Sequence, residues 1–192
     1  MGAHPITENK ELKRNITMNC VLNRDLLRTS SCGYSLPEVK DIYLANFIDV
    51  TSSTGNTSGD CQQVTAITLA SGASFYHIEP AKNSVTFTDE LVVEDNGNKY
   101  RTHTLTFNVS GKYDECMSEA LDALSLGRYF AVVATADGEY LALGRTTGLE
   151  ASAATLQGGG DTNGITVTLS ANVTESAYVL SEAAVNVVLG RA

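Results

Sequence analysis

Apolar and polar residues alternate along two neighbouring segments in the middle of the chain. The apolar face of SVTFTDELVVE carries Val85, Phe87, Leu91 and Val93. The apolar face of KYRTHTLTFNV carries Leu105, Phe107 and Val109. A period of two residues is typical of a β-strand with one buried face. Between the segments, both residues of Asn96-Gly97 tolerate positive φ, which favours a tight turn. The pattern therefore predicts a long hairpin with one apolar and one polar face.

Similar patterns predict further strands at about 39–48, 64–70, 74–80, 148–156 and 164–170. The segment RYFAVVATADGEYLALG predicts a second hairpin, with its turn at Ala136-Asp137-Gly138. The segment TSSTGNTSGD (51–60) is polar and rich in turn residues, which predicts a loop. Glycine and β-branched threonine are frequent, and threonine favours strands.

One segment, YDECMSEALDALSLG (113–127), has the period of an amphipathic helix. Its apolar residues recur at spacings of three and four: Tyr113, Cys116, Met117, Ala120, Leu121 and Leu124. Gly127 supplies the stop signal. Cys116 is expected to pack in the core. A single amphipathic helix needs a sheet to cover, so the fold class is mainly β with one flanking α-helix.

The chain is organised in three parts. Residues 1–60 form an N-terminal arm, a strand and a turn-rich loop, and residues 61–172 form the β core with its helix at 113–126. The C-terminal tail, 173–192, is apolar for a chain end. We expect this tail to dock either on the core or on a neighbouring subunit.

The net charge of −9 argues against a protein that grips nucleic acid, because such proteins neutralise phosphates with clustered lysine and arginine. The beginning, MGAHPITENKELKRN, has no apolar core of a signal peptide, so none is expected. No stretch approaches the roughly 18 to 20 apolar residues of a membrane helix, so no membrane is expected as a partner.

The glycine-rich segment GGGDTNG (158–164) raises the question of a phosphate or calcium site. A phosphate-binding loop needs a helix behind it, and here a strand pattern, ITVTL, follows Gly164. A calcium loop needs a glutamate at its twelfth position, where this chain has Asn172. The segment therefore predicts a flexible loop that leads into a strand, with Asn163 and Gly164 as turn residues.

The candidate catalytic and metal-binding residues are few and poorly spaced. His103 shares the face of Leu105, which indicates a histidine at the edge of the core. A metal site of His77, His103 and Glu79 is possible by residue type but is not demanded by the spacing. The four cysteines have long gaps without a CxxC pair, so we expect free thiols. No nucleophile motif occurs, and we expect no enzyme, no cofactor and no metal.

Four segments together resemble the tail tube proteins of tailed bacteriophages, most closely those of Bacteroidota phages and prophages. They are SFYHIEPAKNSVTFTDELVVEDNGNKYRTHTLTF, YDECMSEALDALSLG, RYFAVVATADGEYLALGRTTGLEAS and GGGDTNGITVTLS. The resemblance covers about 65–169, just over half of the chain, and it does not place the first 60 residues. It implies a β-sandwich or barrel that assembles with copies of itself into rings, hexameric or dodecameric. Such a tube lies in the virion, is assembled in the bacterial host cytoplasm, and contacts other tail or neck proteins.

The resemblance also gives the acidic charge a role. A negatively charged lumen repels phosphates, so genomic DNA passes without specific binding. Glu90, Glu94 and Asp95 lie on or near the polar side of the long hairpin and are the candidate lumen or inter-subunit acids. The alternative, that they are solvated surface charges, stays open.

Two other functions stay open as well. The first is a neck or head–tail connector protein, in which the same fold recurs. The second is a non-catalytic β-sandwich binding module, an adhesin or a carbohydrate-binding domain. The lack of tryptophan and of a clear aromatic platform argues against the binding module. An enzyme would require Cys61, His77 and His103 to converge.

Overall fold

The structure, a computed structural model, describes residues 38–56, 62–110, 115–159 and 163–191. All described residues lie in one compact unit, within Cys32–Ala192. The predicted N-terminal arm lies outside the described residues. The elements are β1 (Val39–Asn46), β2 (Val50–Asn56), β3 (Gln63–Leu69), β4 (Tyr76–Ile78), β5 (Thr86–Val93), β6 (Lys99–Val109), α1 (Glu115–Leu126), β7 (Arg128–Thr135), β8 (Tyr140–Leu143), β9 (Leu149–Gln157), β10 (Gly164–Val173), β11 (Tyr178–Leu180) and α2 (Glu182–Val188).

The described strands form one large mixed sheet, which confirms the prediction of a mainly β fold. The strand order is β2-β3-β11-β8-β7-β9-β10-β6-β5, with β1 paired to β7 and β4 paired to β1. Nine of the ten strand pairings are antiparallel, and the pairing of β11 with β3 is parallel.

Strand β7 is the centre of the sheet and is buried on both of its faces. Its sequence, RYFAVVAT, is almost continuously apolar, as a strand covered on both sides requires. Ala131 and Val133 belong to one cluster of buried side chains, and Phe130 and Val132 belong to another. The first cluster joins β1, β7 and β8 to β6 and β10, and the second packs under β3, β11 and α2.

The sheet curls until its distant strands meet. Strand β5 pairs only with β6 among the described strands, yet Asp89 on β5 accepts a hydrogen bond from the main chain just before β11. His103 on β6 likewise contacts the main chain just after β8, at Gly144. Strands that are far apart in the strand order are therefore joined by side chains rather than by strand pairing.

Helix α1 agrees with the predicted helix at 113–127, and it covers the first cluster with Met117, Leu121 and Leu124. The Tyr129 hydroxyl donates a hydrogen bond to the carbonyl of Ala123, which fixes the end of the helix to β7. The prediction that Cys116 packs in the core is wrong, because its side chain is exposed one position from the packed face.

The prediction of a single helix is also wrong, because the C-terminal tail contains β11 and a second helix, α2. The hydroxyl of Ser181 caps α2 by accepting from the Ala184 N–H at 3.3 Å, and it donates to the Thr65 carbonyl at 3.1 Å. Ala184 and Val188 are buried in the second cluster. Of the two expected positions of the tail, this chain therefore adopts docking on its own core.

The predicted loop at 51–60 is wrong over its first half, where the structure has strand β2. This strand consists mainly of serine and threonine. It pairs antiparallel with β3, with shifts of register at two places. β2 lies at one end of the strand order, where one edge and most side chains face solvent. A strand in that position needs few apolar residues, which explains why composition indicated a loop. Residues 57–60 lie outside the described part.

Both predicted hairpin turns are present: the second is the three-residue loop that was predicted, and the first is also a three-residue loop instead of the two-residue turn predicted at Asn96-Gly97. In the first, the Glu94 N–H donates to the Asn98 carbonyl at 2.9 Å, and Gly97 has φ of +86°. Asn96 does not have positive φ, since Asn83 is the one non-glycine residue in the described part that does. The loop is thus a three-residue hairpin loop that ends in a glycine with positive φ, rather than the two-residue turn that Asn-Gly favours.

The glycine-rich segment joins β9 to β10, and Gly164 explains part of its composition. Gly164 has φ of +118°, and a β-carbon there would lie 2.1 Å from the carbonyl oxygen of Val109 on β6. Only glycine permits this approach, which begins the pairing of β10 with β6. Close packing against β6 therefore requires glycine at this position. Gly164 also begins a strand, as the sequence predicted. Residues 160–162 lie outside the described part.

We expect Gly164→Ala to destabilise the protein by about 3 kcal/mol or more, because steric displacement of β6 adds to the strain of positive φ. The control is Gly159→Ala, where φ is +90° but nothing lies within 4 Å of the new β-carbon. Its expected cost is about 1 to 2 kcal/mol from backbone strain alone. Urea unfolding measures both values. Equal costs for the two variants would contradict the packing role of Gly164.

Candidate functional site

The three predicted acids lie at the exposed end of the β5–β6 hairpin. Glu90 is exposed on β5 and lies opposite Thr102 on β6. Glu94 and Asp95 begin the turn and are exposed. The Glu94 carboxylate accepts hydrogen bonds from the side-chain amides of Asn96 at 3.1 Å and Asn98 at 3.4 Å. Glu94 therefore shapes the turn, while Glu90 and Asp95 face solvent in the single chain.

The same end of the hairpin carries exposed apolar side chains. Phe87 near the base packs against the first cluster, and Leu91 and Val93 continue its face toward the turn. The exposed fractions of these two residues are 53% and 56%. The apolar face therefore extends beyond the part of the molecule that covers it.

Asp89 holds the base of the hairpin against the body. Its carboxylate accepts from Arg101 Nε at 2.5 Å and from the Ala177 N–H at 2.9 Å. Burial by itself would raise the pKa of Asp89, but the hydrogen bonds from Arg101 and Ala177 and the neighbouring positive charge hold that pKa below its ordinary value. Asp89 is therefore ionised in the folded chain near neutral pH.

His103 lies directly opposite Asp89 on β6, and its side chain is 1% exposed. The Gly144 N–H donates to its Nδ1 at 3.2 Å, so the ring proton of the neutral form lies on Nε2. Nε2 is 3.4 Å from Asp89 Oδ1 and makes no hydrogen bond within the described residues. Burial lowers the pKa of His103, although the charges of Asp89 and Glu175 oppose the shift.

A second ion pair, between Arg145 and Glu175, lies beside His103. Arg145 donates from Nε to Glu175 at 2.7 Å and from Nη2 to the other oxygen of the same carboxylate, a bidentate arrangement. Its Nη1 donates to the Ser53 carbonyl at 2.7 Å, and its guanidinium lies over the ring of Tyr178. The pair joins β2, the corner after β8, and the segment before β11. Asp89, Arg101, His103, Arg145 and Glu175 together are called the seam cluster below.

The seam cluster was missed by the sequence analysis, although one signal for it is present. Asp89 occupies the apolar face of β5, between Phe87 and Leu91, so it breaks the alternation with a charge. An acid on an apolar strand face needs a partner, and His103 and Arg101 lie on the corresponding face of β6. The predicted position of His103 at the edge of the core agrees with its burial.

The other candidate histidine does not meet the first. The Nε2 of His77 lies 2.8 Å from an Asp41 oxygen, and the ring stacks on Tyr43 at the surface. Within the described ranges, no group of three histidine, cysteine or acidic residues is placed to hold a metal ion. Cys61 lies outside those ranges.

Comparisons with protein-family models, with curated proteins and with solved structures found no match to this chain. In the part of the chain that the structure describes, no helix is long and apolar enough to cross a membrane. Function must therefore be argued from the hairpin, the seam cluster and the surfaces beside them.

We expect Asp89→Asn to lower the free energy of unfolding by about 2 to 3 kcal/mol. The amide loses the charged hydrogen bond to Arg101 and leaves that guanidinium half-buried without its partner. The control is Glu90→Gln, the next residue on the opposite, exposed face of β5, with an expected change within about 0.5 kcal/mol. Chemical denaturation of both variants measures the difference, and similar costs would argue against the seam cluster as the support of the hairpin.

The stability of the protein should fall as the pH falls below about 6.5. There the unfolded chain binds a proton on His103 that the folded chain, with its lowered pKa, does not. The loss approaches about 1.4 kcal/mol per pH unit, the limit for one proton. A second loss begins below about pH 4, where Asp89 in the unfolded chain becomes protonated before its folded counterpart.

Urea unfolding between pH 5.5 and 7.5 measures this slope. His103→Gln should remove most of it, because glutamine does not titrate. A wild-type slope that persists in His103→Gln would show that another group binds the proton.

Proposed function

We propose that the chain is a structural virion protein of a tailed bacteriophage, a subunit that assembles into rings of the tail tube or tail barrel around a DNA channel. The starting point is the resemblance of residues 65–169 to tail tube proteins. A mainly β chain with a curled sheet is compatible with the β-sandwich or barrel of that family. The single observation that carries the proposal is the exposed end of the β5–β6 hairpin.

The hairpin has the features of an assembly element. Strand β5 has a pairing partner on one side only among the described strands, so its other edge, apart from the Asp89 carbonyl that accepts from Arg101, offers main-chain groups to a neighbour. Leu91 and Val93 extend the apolar face past the body, where a neighbouring subunit would cover them. Full burial of such side chains contributes about 1.5 to 3 kcal/mol each, and half of that area remains to be buried here.

The base and the end of the hairpin have different roles in this mechanism. The seam cluster fixes the base, so the end is held out in a defined direction before assembly. A preformed element loses little conformational entropy when it binds, which favours ring closure at low subunit concentration. Closed symmetry then covers the exposed apolar end of the hairpin in every subunit.

The acids at the hairpin end fit the same function. Glu90 and Asp95 carry negative charge on the solvent side of β5 and its turn, and Glu94 keeps that turn in shape. In a ring, these groups would line the channel or the boundary between subunits. The chain as a whole has a net charge of −9, which disfavours adhesion of DNA to the channel. The partners are further copies of the chain and other tail or neck proteins of the virion.

We expect the purified full-length protein to form rings whose population rises with concentration. Negative-stain electron microscopy shows the rings, and light scattering after size exclusion gives the subunit number. Leu91→Ser with Val93→Ser should raise the concentration required for assembly at least about tenfold, since about 1.4 kcal/mol of lost burial at each contact has that effect.

The matched control removes exposed apolar side chains elsewhere. Ile48 and Leu126 are 91% and 89% exposed, and Ile48→Ser with Leu126→Ser should leave assembly unchanged. A wild-type protein that stays monomeric at every concentration would count against self-assembly through the hairpin. Equal effects of the two double variants would show that apolar surface in general, rather than the hairpin, drives association.

A further inference from the structure

A groove of about 500 Å³ opens beside strand β5, on the face of β5 that also carries Asp89. Its apolar lining comes from four elements that are distant in sequence: Val39, Phe87, Leu141 and Val179. Phe87 belongs to β5, and Val39, Leu141 and Val179 belong to β1, β8 and β11. The groove is therefore the open side of the curled sheet, next to a strand edge that has no partner among the described strands.

The charges that line the groove are all of one sign. Glu38 lies just before β1, and Asp137 and Glu139 lie in the turn between β7 and β8. No lysine or arginine is among the described residues that line it. Three carboxylates around an apolar surface favour a positively charged occupant that also has apolar side chains.

We propose that this groove binds an extended, basic segment of a partner protein, which adds as a strand to the free edge of β5. In an extended segment, alternate side chains point the same way. One set of apolar side chains enters the groove against Phe87 and Leu141. The lysine or arginine side chains between them reach the carboxylates of Glu38 and Glu139.

The shape of the groove favours a strand over other occupants. The volume is that of a site for a few side chains, and one wall is β5, whose second edge has no strand partner among the described residues. Strand addition uses both features, because main-chain hydrogen bonds supply affinity and the pockets for alternate side chains supply specificity. The proposal is separate from ring assembly, because the groove lies at the base of β5 beside Phe87, whereas the proposed ring contact uses Leu91 and Val93 at the end of the hairpin.

The test uses the full-length protein and fluorescein-labelled synthetic peptides in fluorescence anisotropy at low salt. The basic probe is KVKLKVK, and the acidic probe of the same pattern is EVELEVE. We expect the basic probe to bind and the acidic probe not to bind. Glu38→Gln with Glu139→Gln should weaken binding of the basic probe about tenfold. Glu79→Gln with Glu119→Gln removes the same charge at exposed positions elsewhere and should have little effect.

Two further variants test the geometry. Glu38→Lys with Glu139→Lys should reverse the preference, so that EVELEVE binds and KVKLKVK does not. In an added strand, every second N–H group faces β5. One KVKLKVK peptide is methylated on the valine and leucine nitrogens and another on the inner lysine nitrogens. The peptide whose methylated nitrogens face β5 should not bind. Binding that survives both methylation patterns would overturn strand addition.

Three other outcomes would also overturn the proposal. Equal weakening by both pairs of neutral variants would show a non-specific attraction to an acidic protein. Failure of every probe to bind would show that the groove takes no basic strand, as expected if it holds a small molecule. A change in the oligomeric state of the groove variants without a change in probe affinity would assign the groove to a second copy of the chain.

Discussion

The fold depends on one carboxylate, that of Asp89, which closes a curled sheet that strand pairing leaves open. Strand β5 pairs with β6 alone among the described strands, so main-chain hydrogen bonds do not hold it to the rest of the body. Asp89 provides that attachment by accepting from Arg101 within its own hairpin and from the Ala177 N–H before β11. The first cluster of buried side chains includes Leu105 and Phe107 on β6, the strand to which β5 is paired, so this contact holds the hairpin against that cluster. An apolar contact at the same place would tolerate sliding of the hairpin, whereas two directed hydrogen bonds fix its position.

Because a charged carboxylate closes the sheet, there is an electrostatic consequence that an apolar contact at the same place would not have. His103 is enclosed with the carboxylate, and its Nδ1 accepts a hydrogen bond from the Gly144 N–H. The neutral ring fits this environment, because Nδ1 must keep its lone pair for the Gly144 N–H. A second proton on the ring would replace that acceptor with a donor that faces another donor. The seam is therefore consistent with a neutral histidine and a charged aspartate, and acid acts on both.

Much of the fold follows from local patterns, and the seam cluster does not. The alternation in β5 and β6, the continuous apolar run of β7, and the helical period of α1 were each recognisable because one element defines its own buried face. Strand β2 was missed because its partner, β3, rather than its own composition makes it a strand. Helix α2 was missed because its apolar residues are also compatible with a strand. Asp89 showed a break in the pattern, but Ala177 is 88 residues from Asp89 and Gly144 is 41 residues from His103, and contacts over such distances are set only by the complete topology.

Charged side chains hold the base of the hairpin, whereas its end exposes apolar side chains, and this division bears on function. Apolar residues on the same face of β5 change role within a few positions, from Phe87 against the core, through the charged Asp89, to the exposed Leu91 and Val93. If Asp89 were apolar, this strand face would be a continuous apolar surface, and a partner could bind at any register along it. A charge that is satisfied internally divides the surface into a part that belongs to the core and a part that is free for a neighbour. The hairpin therefore offers a short surface in one position, which a closed assembly requires and which an aggregating edge strand does not provide.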